Sequence, residues 1–373
     1  MKCIKNCLGK LKPKYPIENL CIPEQTLFID IETTGLHVRS SNLYIIGCIY
    51  YDTNIEPYSW YSIQWIAKNY DDEINILNAF AEFALSYKYL IHFNGNQFDV
   101  PYLEKKMKQY QINFNFSNFE SIDIYRRLTP CKAFLKLPNY KQKTIENFLN
   151  TYREDQYTGK ELIDIYHKYV LNNDENMEKL LLLHNKEDLM GMLEIIAALA
   201  ICDLINMPVK VTQVQANYYK DINQKQFPEI IMNLELSTPL PTDISCYANS
   251  CYFMGSGYEG KLRVPVFEEE LKYFYSNYKD YYYLPEEDMA IHKSVASFVD
   301  KNYRRQAQAN NCYTRKYSSY LPQWENIFTP FFKRSYNEKD LFFELTDEFK
   351  TQRESFNIYA HHVLEMMTKN AGN

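Results

Sequence analysis

The chain has 373 residues, 46% of them hydrophobic and 24% charged, with a formal net charge of −6. That composition excludes a wholly disordered chain, and the length points to two domains or one large domain with an elaboration. No stretch reaches the ~20 apolar residues of a bilayer span, and the basic start MKCIKNCLGKLKPKYP lacks the apolar segment of a secretory signal. A cytoplasmic protein with no membrane partner is expected. Its nine cysteines, an odd number, read as reduced thiols, and Cys3 and Cys7 have no second pair to complete a zinc site.

Residues 1–20 carry five Lys against one Glu and show no hydrophobic period, so they read as a basic arm, flexible or at an edge of the fold. The apolar run at 26–31 predicts a strand buried on both faces. Residues 43–51 and 57–66 predict two more, joined as an antiparallel meander. Asp71, Asp72 and Glu73 open a helix to about Ser86, with acids at its positive end. A strand at 88–93, a helix at 97–109, a strand near 119–124, a helix near 143–150 and a long helix from about 176 to 205 follow. Meander first and alternation second mean a mixed sheet flanked by helices, an α/β fold. Pro208 closes the long helix, and 229–276 reads as antiparallel strands broken by Pro and Gly. A helix is predicted from Pro285, and mixed helix after 338. The expected division is an arm at 1–20, a first domain at 21–207 and a smaller α+β domain at 208–373.

Asp30 and Glu32 alternate on the first strand, so both carboxylates project from one face at its C-terminal end. Two like charges there are costly unless a cation neutralises them, and a hard divalent ion is the natural partner. Two surface acids at a solvated strand end would look the same. Asp99 follows in HFNGNQFD, where the chain leaves a strand, turns at Asn94-Gly95 and enters a helix. Asp188 lies on the long helix in HNKEDLMGM, with His184 one turn before it on the same face. Lys186 and Glu187 read as a solvated face.

In order and context these acids resemble the DEDD superfamily of ribonuclease-H-like exonucleases. FIDIETTGL resembles the first motif of that family, HFNGNQFDVPYL the second and HNKEDLMGM the third. DIYRRL, YKQKTIENFL and GKELIDIYHKYV are similar to the bacterial ribonuclease-H-like proteins grouped with YprB, and the likeness spans about residues 24–205. It implies a ribonuclease-H-like sheet and a 3′→5′ exonuclease acting on single-stranded DNA or RNA. It also implies two Mg²⁺ or Mn²⁺ ions held by Asp30, Glu32, Asp99 and Asp188. Asp30 would bridge the ions, Glu32 and Asp188 would complete one, and Asp99 would help position the other. His184 would orient or deprotonate the attacking water, a task that suits imidazole chemistry near neutral pH. Members of the superfamily carry Tyr four positions before the last Asp or His five positions before it. This chain has His184 at the tyrosine's spacing and Leu183 at the histidine's. Asp123 falls near the site on this likeness without being a ligand. Arg126 and Arg127 are candidates for a phosphate backbone, and His92 for a junction residue.

Residues 289–336 carry eight basic and two acidic residues inside an acidic chain. On the helix predicted from Pro285, Lys293, Lys301, Arg304 and Arg305 form a basic face opposite Ile291, Val295, Phe298 and Val299. Arg315 and Lys316 follow among tyrosines, an interleaving that suits a single-strand groove. An ordinary basic surface would also read this way. Two other functions stay open: an idle nucleic-acid-binding scaffold and an assembly subunit with a protein partner of unknown kind.

Overall fold

In the computed structural model, residues 1–54 and 58–369 are described. The chain divides into two compact units, Met1–Asp203 with Leu240–Thr242, and Leu204–Pro239 with Asp243–Asn373. In the first, the elements are β1 (Lys2–Gly9), β2 (Thr26–Thr33), β3 (Leu43–Asp52), β4 (Ser59–Ile66), α1 (Glu73–Ala84), β5 (Tyr89–His92) and α2 (Asp99–Gln109). Then come β6 (Glu120–Asp123), α3 (Ile124–Leu128), α4 (Lys132–Leu135), α5 (Gln142–Phe148), α6 (Gly159–Asn172), α7 (Glu175–Ile195) and α8 (Leu199–Asn206), whose residues from Leu204 on belong to the second unit. The third strand expected at 57–66 is β4, and its first position, Pro57, lies outside the described residues.

The six strands form one mixed sheet in the order β1-β4-β3-β2-β5-β6. β2, β3 and β4 pair antiparallel as a meander, while β5 and β6 join parallel to β2. Leu27, Phe28 and Ile29 of β2 are buried, as a central strand covered on both faces requires. Residues 2–9 take the edge alternative, pairing antiparallel with β4 from Lys2↔Ile66 onward. Their basic side chains are mostly exposed, which suits an edge that must not recruit a further strand.

Two of the helices that carry the later part of this unit start on side-chain caps. Asp174 accepts from Asn176 and Met177 N at the start of α7, and Thr158 and Glu161 form a capping box for α6. The long helix expected at 176–205 breaks into a 3₁₀ turn at Ile196–Ala198 between α7 and α8. Glu73 and Lys106, both buried, pair at 2.8 Å, and Glu73 also accepts Leu43 N at 2.6 Å. That network anchors the start of β3 to α1 and α2.

The second unit is largely β. It contains β7 (Lys210–Lys220), β8 (Gln226–Ala248), β9 (Cys251–Pro265), β10 (Phe267–Phe274), β11 (Tyr281–Leu284), β12 (Met289–His292) and α9 (Lys293–Ala296). β13 (Arg305–Gln306), β14 (Tyr313–Gln323), β15 (Phe331–Phe332), β16 (Leu341–Glu344), α10 (Asp347–Thr351) and α11 (Arg353–Lys369) complete it. Its strands form three sheets, β7-β8-β9, β10-β14-β16-β15 and β12-β11-β13.

The helix expected from Pro285 does not form. Tyr281–Leu284 instead pairs with Met289–His292 as a hairpin, and Pro285–Asp288 is its turn. Asp288, at φ 51°, closes that turn and accepts the hydroxyl of Tyr283 at 2.6 Å and that of Tyr313. The cross-strand tyrosines supply a partner that an isolated helix start lacks. No described helix is long and apolar enough to cross a membrane.

Candidate active site

Three elements bring the four acids together. β2 ends with Asp30 and Glu32, α2 begins with Asp99, and α7 carries Asp188 beside them. Asp30 lies well above its ordinary pKa, first because burial disfavours its charge and then because Asp188, Glu32 and Asp99 face it. Glu32 is raised well above its ordinary value too, by burial and then by Asp188, Asp99 and Asp155. Burial pushes Asp99 up to about 7, against backbone hydrogen bonds at its own N–H and that of Ile31. These shifts record mutual repulsion among groups withdrawn from water.

The backbone details explain the convergence. Asn94 sits at φ 59°, and the turn it begins is held by Asp123, which accepts Asn94 N at 3.0 Å, Asn96 N at 3.4 Å and, as the cap of α3, Arg126 N at 3.2 Å. Gly95 is needed for close approach: a Cβ there would lie 2.6 Å from the His92 ring. His92 is a buried junction residue, accepting Gly95 N at Nδ1 and meeting Ser121 Oγ at 2.8 Å. On the other side, Gly47 of β3 faces Asp30 across the ladder and lets α7 come close. A Cβ at Gly47 would fall 2.0 Å from Asn185 Oδ1. In that space Asn185 Nδ2 donates to Asp30 Oδ2 at 2.8 Å, and Gln64 Nε2 donates to Asn185 Oδ1 at 2.8 Å.

His184 lies on the same face as Asp188. Its Nε2 is 3.3 Å from Asp188 Oδ2 and 3.7 Å from Glu32 Oε1, so the four-residue spacing aims the ring at the acids. Glu32, His184 and Asp188 each offer one ligand atom, all within 4.8 Å of one another. The carboxylates of Glu32 and Asp188, with Asp30 and Asp99 facing them, offer the oxygen ligands that a hard divalent cation takes.

Several contributors escaped the sequence reading. Arg153 forks onto Glu146 at 2.5 and 2.6 Å and gives Nη1 to Asp188 Oδ1 at 2.6 Å. Burial opposes the charge of Arg153, but Glu146 and Asp188 hold its pKa above the usual value. Gly191 opens the room, since a Cβ there would meet Glu146 Oε1 at 2.0 Å. Glu187 is not a solvated face: its two oxygens accept Glu154 N and Asp155 N at 2.8 Å each. Asp155 in turn meets His184 Nδ1 at 2.6 Å. Asn185 and Glu187 lay inside the third motif, where polar residues flanking His184 on a helix were the available signal. Arg153 and Asp155 lie in a loop with none.

The basic candidates of the second unit do not share a helix face. Lys293 lies in the four-residue α9 and Arg304 outside it, both over the Tyr282 ring at 5.5 and 4.9 Å. Lys301 belongs to a 3₁₀ turn, and Arg305 pairs with Tyr283 in β13. Arg315 meets Glu270 at 3.2 Å and Lys316 meets Glu344 at 2.6 Å, so both charges of β14 have acidic partners. Arg126 and Arg127 are exposed on α3.

Residues 27–200, which contain all four acids, match the family model of the RNase_H superfamily. Among solved structures, the zinc-bound E. coli ExoI–ssDNA complex is similar at 13% identity and TM-score 0.28, over 57% of this chain and 55% of that one. E. coli exonuclease I with a dA16 oligonucleotide gives 13% identity and TM-score 0.26 over the same shares. The ExoI/SSB-Ct complex gives 13% identity and TM-score 0.27 over 93% of this chain and 72% of that one. The chain thus spans about 55% of the first of these. No curated protein matches it. The mixed sheet with its flanking helices, followed by a further C-terminal unit, is a ribonuclease-H-like architecture.

Proposed function

We propose that the chain is a metal-dependent nuclease of the DEDD type, a 3′→5′ exonuclease on single-stranded DNA or RNA. One observation carries this reading: four carboxylates from three elements converge beside an imidazole, with Asp30, Glu32 and Asp99 raised by burial and by their neighbours. A fold gains nothing from such repulsion unless a cation relieves it. Asp30, Glu32, Asp99 and Asp188 would hold divalent ions, Mg²⁺ or Mn²⁺. Bound divalent ions supply Lewis-acid charge to the scissile phosphate and to the attacking and leaving oxygens. Asn185 and Arg153 hold Asp30 and Asp188 in place for that role. His184 orients the attacking water or takes its proton at Nε2. The resemblance of the three motifs to the DEDD exonucleases supports 3′→5′ polarity, and the segments DIYRRL, YKQKTIENFL and GKELIDIYHKYV support kinship with the YprB group.

The test is a gel time course on 5′-labelled single-stranded DNA and RNA in Mg²⁺ and in Mn²⁺, beside Asp30→Asn/Glu32→Gln. A metal-dependent ladder shrinking from the 3′ end, absent in the variant, is expected. An unaffected variant overturns the assignment. No cleavage, with no divalent-ion binding by calorimetry, would favour an idle nucleic-acid-binding scaffold.

A further inference from the structure

Asp155 lies between α5 and α6, outside the three motifs, yet it is buried and both its oxygens are engaged. Oδ1 accepts Tyr157 N at 3.0 Å, while Oδ2 meets His184 Nδ1 at 2.6 Å and Lys143 Nζ at 3.3 Å. Its backbone is fastened to α7 by Glu187, which accepts Asp155 N at 2.8 Å. The grip is reciprocal: α7 holds the Asp155 main chain, and Asp155 holds a side chain of α7.

Lys143 Nζ beside Oδ2 and Tyr157 N on Oδ1 leave both oxygens of Asp155 facing donors, as an ionised carboxylate does. An ionised carboxylate only accepts, so the proton of the short bond resides on Nδ1. The lone pair of a neutral ring then falls to Nε2, the nitrogen that faces Glu32 and Asp188.

We propose that Asp155 is a positioning residue that fixes His184 in its Nδ1–H form and turns Nε2 toward the attacking water. This rests on the nuclease reading. A second-sphere carboxylate of this kind sets both tautomer and ring orientation without touching substrate.

The test pairs ¹⁵N–¹H correlation spectra of the histidine-labelled, metal-free protein at alkaline pH with cleavage kinetics. His184→Gln assigns the signal. The wild type is expected to show Nδ1–H, and Asp155→Asn to shift toward Nε2–H. The same variant should lose about 10²-fold in kcat, with KM little changed. The double variant with His184→Gln should lose no more than His184→Gln alone. Asp155→Glu, which keeps the acceptor, should retain Nδ1–H and most of the rate. Should Asp155→Asn not fold, the wild-type spectrum and Asp155→Glu decide. Nε2–H in the wild type, an unchanged rate in Asp155→Asn, or losses that multiply in the double variant overturn the proposal. If the wild type cleaves nothing, the nuclease reading fails alone: the tautomer and its shift still test what Asp155 does to His184.

Discussion

Arg153 Nη1 donates to Oδ1 of Asp188 at 2.6 Å, so one oxygen of that carboxylate is committed and Oδ2 is left toward His184. The remaining nitrogens of the guanidinium close on Glu146, whose side chain is 2% exposed against 8% for Arg153. A buried fork of this kind orients its acid, and removing one partner strands the other. Arg153→Met is therefore expected to cost about 3–5 kcal/mol in urea unfolding, with Arg153→Met/Glu146→Gln recovering part of the loss. Its Mn²⁺ affinity by calorimetry should fall about tenfold. Unchanged stability and affinity would remove Arg153 from the site.

The acids also predict how stability responds to pH. Asp99 is raised to about 7, and Asp30 and Glu32 well above their ordinary values, so the metal-free fold binds these protons more tightly than the unfolded chain. Stability from such groups is full below the unfolded pKa of about 4 and is lost as pH rises through the folded value. Asp155 and Glu178, held low by their partners, act in the opposite direction only as pH falls below that range, and His92 and His362, lowered first by burial, offset part of the loss as pH rises through about 6.5. Between pH 5.5 and 8 the metal-free melting temperature should therefore fall. Added Mn²⁺ should restore it more at pH 8 than at pH 5.5. Equal metal shifts at both pH values would contradict this.

Gly47 tests the approach of α7 to the sheet. A methyl group there would lie 2.7 Å from Leu189 Cδ1 as well as against Asn185 Oδ1. Gly47→Ala should cost about 1–3 kcal/mol by overpacking and should also lower cleavage, because Asn185 is displaced from Asp30. Thermal melts and the gel assay read the two effects separately.

Among the basic residues of the second unit, pairing ranks the expected losses. Arg315 and Lys316 meet acids, whereas Lys301 and Arg305 are exposed and make no ion pair among the described residues. Lys301→Ala/Arg305→Ala should weaken binding to single-stranded DNA and flatten its salt dependence more than Arg315→Ala/Lys316→Ala. Filter binding at two salt concentrations checks the order. Equal losses would mean the acidic partners are displaced on binding.

The central sheet was legible because β2 and β3 are apolar runs buried on both faces, a signal carried by each strand alone. β1 was not, since its residues are mostly exposed and its partner β4 begins 50 positions beyond its last residue, Gly9↔Trp60 marking the nearer end. The hairpin turn at Pro285–Asp288 was misread because Pro followed by acids begins a helix as readily as it turns a hairpin. Tyr313, 25 residues beyond Asp288, helps decide between them. In the site, spacing within one element placed Asp30 with Glu32 and His184 with Asp188. Arg153 and Asp155 act across 35 and 29 residues from a loop, where no periodicity marks them.

The hydrogen bond from Asn185 to Asp30 joins residues 155 positions apart. The site therefore has no local precursor: its carboxylates meet only when a late helix of the first unit docks on one of its earliest strands. Such closures come late in folding, after nearer contacts have formed. A nascent chain would carry no assembled centre until α7 has left the ribosome. In a refolding experiment, cation binding by the proposed nuclease site would return with the docking of α7 rather than with the formation of the sheet.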